Sequence, residues 1–487
     1  MSSLKQKAAS GFVWMALQKY STMFVIFVSD IILARLLMPY DFGCIEMLAV
    51  FILLAETTVN GGFGAALIQK KRPTQEDYST IFFWNLGMSA LIYAVLYLCA
   101  PAIARFYGID ILTPILRVQG LILFVYAFNV IQSSMLKKQL RFKALAIVTV
   151  VTSFASLAVT IIMAYKGCGV WSLVARNLVM AGLTSLIFWF YIKWRPSWVF
   201  SWQSFKQLFS FGFFIYLSNL VTSFSTKLQS LLIGRFFDPT VMGFYSKASG
   251  TEGQASTSIS QILDYITYPL YAEVQDDLKA LQNMVKRMTM TLAYFTFPMM
   301  FVLMLVAKPL FVLLYSEKWL PSVPYFQVLC LAGLGSCLQS VNFQTISAIG
   351  KSKITFKWTM IKRIVGMGLI VGGLALWGMK GILLGAVLNA WFAYFVNMGL
   401  VSKHIGYKWH TQLLNLLPIL VASIACAAIS YFGVEYLGLG LYLDGALKML
   451  LFAILYMGWS FLFKPESYEY SKTIVRPMIL KITKKKK

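Results

Sequence analysis

The sequence predicts an all-α, polytopic membrane protein with fourteen transmembrane helices: two six-helix lobes in parallel repeat, followed by two further helices. Three observations carry this reading. In 487 residues, 59% are hydrophobic and only 13% are charged, against about 25% charged in soluble domains, so a soluble globule of this size cannot bury the apolar surface. Apolar runs of about 20 residues, enough to cross about 30 Å of hydrocarbon, recur along the chain. Lys and Arg fall mostly between those runs, and on one side of them.

The runs lie at 12–34, 42–66, 80–103, 112–136, 144–165, 169–192, 210–234, 241–271, 286–307, 323–349, 358–379, 381–400, 412–433 and 440–463, with a tight turn at Lys380-Gly381 between the eleventh and twelfth. The second run organises the rest. From Pro39 to Arg72 it is apolar enough to span, yet it holds Glu46 and Glu56, closes on Asn60-Gly61-Gly62, and ends in Lys70, Lys71 and Arg72. An ionised carboxylate at bilayer centre costs roughly 2.5–3.5 kcal/mol on insertion scales, so this span must face protein or water on one side.

With the N terminus in the cytoplasm, 30 of the 43 cations fall in loops and ends on that side and eight on the other. This bias predicts that both termini are cytoplasmic. The cytoplasmic group includes Lys351, Lys353, Lys357, Lys362 and Arg363 around the start of the eleventh span; Lys19, Arg117, Arg176, Lys227 and Lys448 fall within spans. The eighth span is the least apolar, because residues 246–264 read SKASGTEGQASTSISQILD. The bland reading is a surface loop. Yet without this crossing the basic loops from Lys279 to Arg363 change sides and the bias collapses, so the segment is read as a helix whose polar residues face an interior.

An internal repeat joins the two halves. Arg35, Pro39 and Gly43 recur as Arg235, Pro239 and Gly243; Lys137-x4-Phe142-Lys143 recurs as Lys351-x4-Phe356-Lys357; Gly169 and Asn177 recur as Gly381 and Asn389. A unit of six spans is even, so both copies share one orientation. The expected organisation is a lobe at 1–192, an interfacial connector at 193–207 rich in Trp and Phe, a second lobe at 208–400, two added spans within 401–463, and a basic cytoplasmic tail at 464–487.

Two lobes around a polar interior suit an alternating-access carrier. The candidate interior residues are Lys19, Asp30, Arg35, Glu56, Asn60, Arg117, Arg176, Lys227, Glu252 and Asp264. Lys19 and Asp30 stand eleven residues apart, three turns of one helix, and share a face, with Arg35 beyond. They line a substrate path, or else form structural pairs or, for Lys19, snorkel to an interface. For Arg117, Arg176 and Lys227 the readings are anion binding, to which the Arg donor fork is suited, and structural ion pairing. The acids Glu46, Glu56, Glu252 and Asp264 are open to pairing with these cations or to binding a coupling proton or Na⁺. Glu56 and Asn60 are i,i+4 neighbours; Asp444 and Lys448 are too, and read as a local pair.

Other chemistries find little support. The net charge of +25 is explained by loop cations meeting anionic headgroups rather than by a nucleic-acid groove. The six cysteines lack metal or redox spacing, and His404 and His410 sit beside lysines without acidic or cysteine partners. No phosphate-binding loop, dinucleotide fingerprint or His-Glu-x-x-His occurs, so neither enzyme activity nor a cofactor is expected. The first run, Gly11 to Leu37, is too long for a cleaved leader.

At LARLLMPYDFGCIEMLAVF (33–51), GFGAALIQKK (62–71), IARFYG (103–108), LKKQLRFKALA (136–146), LLIGRFFDPTVMGFYSKA (231–248), VQDD (274–277), TFPMMFVLMLVAKPLFVLLYSEKW (296–319) and VPYFQVLCLAG (323–333), the chain resembles the bacterial polysaccharide transport family. These are O-antigen or colanic-acid type lipid-linked oligosaccharide flippases, within the superfamily of multidrug extruders and the peptidoglycan-precursor flippase. The resemblance implies export of an undecaprenyl-diphosphate-linked oligosaccharide from the cytoplasmic to the periplasmic leaflet of the inner membrane, by alternating access through a cationic cavity. It also implies functional association with a polysaccharide polymerase and glycosyltransferases, in a monomeric carrier. The chain departs from the family pattern at AETTVNGG, where Asn60 takes a normally acidic place. On this reading the diphosphate meets Lys19, Arg117, Arg176 and Lys227, the polyprenyl tail stays in lipid, and the sugars lie among spans one, two, seven and eight. A cation-coupled multidrug extruder is the alternative, and a lipid scramblase or structural membrane protein a weaker third.

Overall fold

A computed structural model describes residues 2–470, and their side chains except those of 2–13, 259–266, 268, 269, 272 and 352. Every regular element among the described residues is helical. The first half comprises α1 (Ser2–Leu36), α2 (Pro39–Asn60), α3 (Phe63–Gln69), α4 (Gln75–Tyr107), α5 (Leu112–Gln119), α6 (Ile122–Lys138), α7 (Phe142–Tyr165) and α8 (Val170–Tyr191). There follow α9 (Trp202–Phe236), α10 (Pro239–Glu273), α11 (Leu278–Leu305), α12 (Ala307–Tyr315), a 3₁₀ turn (Glu317–Ser322), α13 (Val323–Ala348), α14 (Ser352–Ile405), α15 (Trp409–Glu435) and α16 (Leu441–Phe463). Twelve segments among the described residues are long and apolar enough to cross a membrane. Leu98, Phe190 and Phe214 are each at least 74% exposed, a burden that lipid rather than water relieves. The protein is a multi-pass membrane protein.

The chain forms two compact units, Met1–Ser246 and Lys247–Lys487. In the first, α1 packs on α7, α7 on α8, α2 on α9 and α6 on α8. Local chemistry sets the element ends. Pro39 opens α2, where it needs no N–H partner, and Asp41 accepts from the Met38 N–H at 3.0 Å. Gly61 (φ +51°) and Gly62 (φ +73°) close it in the left-handed conformation that favours glycine. Thr74 and Asp77 cap the start of α4 reciprocally, at 3.2 and 2.8 Å. Lys138, the last residue of α6, donates to the end carbonyls of α3, those of Leu67, Ile68 and Lys70, so a cation at one helix end satisfies the acceptors of another. The connector after α8 is irregular and stitched to α4, with Ser197 and Ser201 N–H groups donating to Ser79 and Thr80, each at 3.0 Å.

Within this unit the starts of α2 and α10 cross reciprocally. A Cβ on Gly43 would lie 1.8 Å from the Pro239 carbonyl oxygen, and one on Gly243 would lie 2.0 Å from that of Pro39. The two Pro-x3-Gly motifs seen in the sequence thus meet each other, each lending the other a place without a side chain.

In the second unit α13 packs on α14 and α11, and α15 on α16 and α11. The 54 residues of α14 are not one rod: the backbone leaves helical geometry at Trp377 (φ −136°, ψ 17°) and Gly378 (φ 57°, ψ −130°). The two arms fold back on each other. Cβ atoms on Gly373 and Gly381 would lie 2.2 and 1.8 Å from the opposing carbonyl oxygens, and one on Gly385 would lie 2.7 Å from that of Leu369. Small residues permit this backbone approach in lipid. The turn expected at Lys380-Gly381 therefore lies at Trp377-Gly378, where Gly378 has the required left-handed φ.

Candidate functional site

The first unit holds a cavity of about 530 Å³. Three helices present polar faces to it at helical spacing: Glu46, Ala49, Leu53 and Glu56 from α2; Ile122, Tyr126 and Asn129 from α6; and Arg176, Asn177, Met180 and Thr184 from α8. Gln119 at the end of α5, Thr149 of α7 and Lys227 of α9 complete the polar part of the wall.

Its cations are each paired with a carboxylate. The Lys227 ammonium lies 2.5 Å from the Glu46 carboxylate, which also accepts from the Ser230 hydroxyl at 3.0 Å. The Arg176 guanidinium lies 2.8 Å from the Asp30 carboxylate. All four side chains are between 22% and 28% exposed, so neither pair is sealed away. Glu56 stands in the same wall as Tyr126 and pairs with no cation among the described residues. Gln119 Oε1 and Asn129 Oδ1 are buried and accept no hydrogen bond among the described residues, which leaves two acceptors in the wall for donors from a ligand. The arrangement can receive an anion at the cations once the carboxylates yield, and hydroxyl or amide donors at the neutral groups. It contains no nucleophile with a base, and among the described residues no group of His, Cys, Asp and Glu is arranged to hold a metal.

Of the ten residues picked from the sequence, Glu56, Arg176 and Lys227 line the cavity, and Asp30 reaches it through Arg176. Lys19 is half-buried on α1, while Arg35 and Asn60 are exposed near helix ends. Arg117 is turned away, its guanidinium carbon 4.1 Å above the centre of the Tyr97 ring and its Nε 3.4 Å from the Tyr97 carbonyl. Glu252 belongs to the second unit, where a Cβ on Gly333 would come within 2.5 Å of its Oε1. The side chain of Asp264 lies outside the described residues. Gln119, Tyr126, Asn129 and Asn177 were not anticipated. They are neutral, and the sequence signals were the shared face of Tyr126 and Asn129 and the recurrence of Asn177 in the repeat. Lys448 joins Asp444 at 2.9 Å as expected, and Glu435 at 2.5 Å as well.

Paired charges set into apolar helices around a cavity suit a membrane carrier. The lipid II flippase MurJ, in its inward closed conformation, has the same fold: the TM-score is 0.70 at 15% identity, over 96% of this chain and 100% of that one. The chain belongs to the polysaccharide biosynthesis protein family, whose sequence model matches residues 32–324. It is 25% identical to the teichuronic acid biosynthesis protein TuaB of Bacillus subtilis, over 74% of each chain. It is 24% identical to the lipopolysaccharide biosynthesis protein WzxC of Escherichia coli, over 91% of this chain and 90% of that one. The family resemblance read from the sequence thus holds.

Proposed function

We propose that the protein is a flippase that carries an undecaprenyl-diphosphate-linked oligosaccharide from the cytoplasmic to the periplasmic leaflet of a bacterial inner membrane, in the synthesis of a capsule, exopolysaccharide or O-antigen. Family membership and the fold support the class. The observation that carries the mechanism is the polar cavity of the first unit, where Arg176 and Lys227 stand on separate helices, each held by a carboxylate. The diphosphate displaces Asp30 and Glu46 from these cations, with Arg supplying two parallel donors to phosphate oxygens. Gln119 and Asn129 accept from sugar hydroxyls, and the polyprenyl chain remains in lipid. Asp30 acts on the head group through Arg176, and Lys19, three turns before it on α1, is read as a further contact of the diphosphate, whereas Arg117, occupied by Tyr97, stays outside it.

Alternating access would be served by fourteen crossing helices. Twelve apolar segments, one of them folding as two antiparallel arms, and the polar α10 supply that number. The repeat reading, with lobes at 1–192 and 208–400, connector 193–207, added spans within 401–463 and tail 464–487, is supported by the reciprocal Gly43 and Gly243 crossing. Both termini are placed in the cytoplasm by the cation bias. The carrier is read as a monomer that works beside glycosyltransferases and a polymerase, and the use of Na⁺ or protons is to be decided by gradient.

The test is leaflet-resolved translocation of lipid-linked oligosaccharide in proteoliposomes, with and without Na⁺ and proton gradients. Translocation by the wild type and its loss in Arg176→Gln and Lys227→Gln support the proposal; full activity in both variants sinks the assignment of the site. Glu56, a cavity carboxylate paired with no cation among the described residues, favours the multidrug extruder as a second reading. Drug efflux without lipid translocation in the same vesicles would establish that instead.

A further inference from the structure

The second unit contains two cations whose charge nothing described there offsets. Lys362 and Arg363 lie on the first arm of α14, which begins at Ser352, so they are five and six residues beyond Lys357 and inside the helix. Lys362 is only 9% exposed. Its ammonium donates to Asn397 Oδ1 on the second arm at 2.7 Å and lies 5.5 Å from the centre of the Phe343 ring. Asn397 is oriented in turn by its own amide, which donates to the Gln339 carbonyl at 3.2 Å. Arg363, half-buried, makes no hydrogen bond or ion pair among the described residues. Helices α11, α13 and α14 contain no Asp or Glu at all.

The bland reading makes Lys362 a staple of the hairpin, with snorkelling to the cytoplasmic interface as its variant. Burial and the bond to Asn397 exclude snorkelling. A staple explains Lys362 but not the adjacent Arg363, which raises the local charge and gains no partner. Withdrawing a cation from water without an opposing charge is strongly unfavourable, and an ammonium has three donors, of which Asn397 takes one. What this pair lacks among the described residues is an anion with several acceptor oxygens.

We propose that Lys362 and Arg363, oriented through Asn397, form a second anion site that binds a phosphate-bearing head group, independent of the cavity in the first unit. The fork of Arg363 fits two phosphate oxygens and Lys362 supplies a further charged donor. A polyprenyl diphosphate and an anionic phospholipid both offer that chemistry.

The full-length protein, purified in a phosphate-free glycoside detergent, distinguishes these sources when titrated separately with inorganic pyrophosphate and with phosphatidylglycerol, reading affinity and thermal midpoint. A ligand that binds only the folded state raises the midpoint. The expected result is that at least one probe does so in the wild type. In Lys362→Gln/Arg363→Gln the affinity for that probe falls tenfold or more, and the midpoint without ligand is equal to or above that of the wild type. Arg176→Gln/Lys227→Gln keeps the part of the shift that Lys362→Gln/Arg363→Gln loses, which separates this site from the proposed transport site. A response to pyrophosphate marks the diphosphate as the ligand, and a response to phosphatidylglycerol alone marks the bulk lipid. Arg363→Gln by itself leaves the Lys362–Asn397 bond in place and should weaken binding if the double variant does not fold. Unchanged affinity and midpoint shift in these variants, or no binding of either probe by the wild type, overturns the proposal.

Discussion

The two units solve the same packing problem alike, but the cavity of the first and the α14 hairpin of the second treat charge differently. Each brings helix backbones together at glycines, Gly43 against Gly243 in the first and Gly373 against Gly381 in the second. In the first, each cation of the cavity is matched by a carboxylate from another helix, Lys227 by Glu46 and Arg176 by Asp30. In the second, Lys362 has an amide and Arg363 has no described partner. A compensated pair can open and close as an anion comes and goes, because its cation is never bare. An uncompensated pair is at its most stable when occupied. The comparison thus separates a place suited to transient binding from one suited to standing occupancy.

The largest effect should come from breaking what the units share. Gly43→Val and Gly373→Val each place a branched side chain where a Cβ alone comes within 1.8 and 2.2 Å of a backbone carbonyl oxygen. Each should cost at least the roughly 1–3 kcal/mol of ordinary overpacking, read as loss of folded protein in the membrane fraction and in size-exclusion profiles. Normal yield of either variant would show that the crossing can relax.

Next comes the compensated pair itself. Arg176→Gln should lower translocation about tenfold or more at unchanged abundance, whereas Arg117→Gln should leave it within about twofold, in line with loss of one charge-assisted contact against none. Equal losses would place Arg117 in the transport path and blur the contrast between cavity and periphery. A double-mutant cycle then measures compensation directly. Lys227→Gln and Glu46→Gln each leave a partner charge exposed to the cavity, so the double variant should be more stable than the sum of the singles predicts, with a coupling of roughly 0.5–3 kcal/mol by thermal unfolding in detergent. Additive effects would mean that the pair is not formed in solution.

The smallest effect is expected at the edge of the second unit. Glu466, beyond the last span, accepts from Lys286, 2.5 Å away, and this hydrogen bond holds its carboxyl below the usual 4.5. Its contribution is present above the unfolded value and is lost as pH falls through the lowered folded value. At 57% exposure the pair is screened, so Glu466→Gln should cost less than about 1 kcal/mol. The difference in melting temperature from the wild type should vanish in acid. A difference that persists in acid would assign it to packing instead.

Much of this was legible from single helices. The α2 face of Glu46 and Glu56 follows from helical spacing, and the break in α14 followed from a glycine-rich junction, displaced by three residues. The cavity was less legible, because Gln119 and Asn129 carry no charge to set them apart from ordinary polar residues in a span. Arg117 misled for the opposite reason: a cation inside an apolar run looks interior, yet a tyrosine one helix away gave it a surface partner. Lys362 and Arg363 misled in the other direction, since they continue a basic loop in sequence and enter the bundle in space.

By itself the sequence determined that the protein lives in a membrane, roughly where its helices run and to which family it belongs. Each follows from composition, periodicity or motifs read along one stretch of chain. The tertiary structure alone decided which charges meet. Glu46 and Lys227 are 181 residues apart, and Asp30 and Arg176 are 146 apart. Periodicity tells which face of a helix is polar but not which neighbour that face is turned toward. That choice is made by the close packing of helices at small residues, and the pairing of charges follows from it.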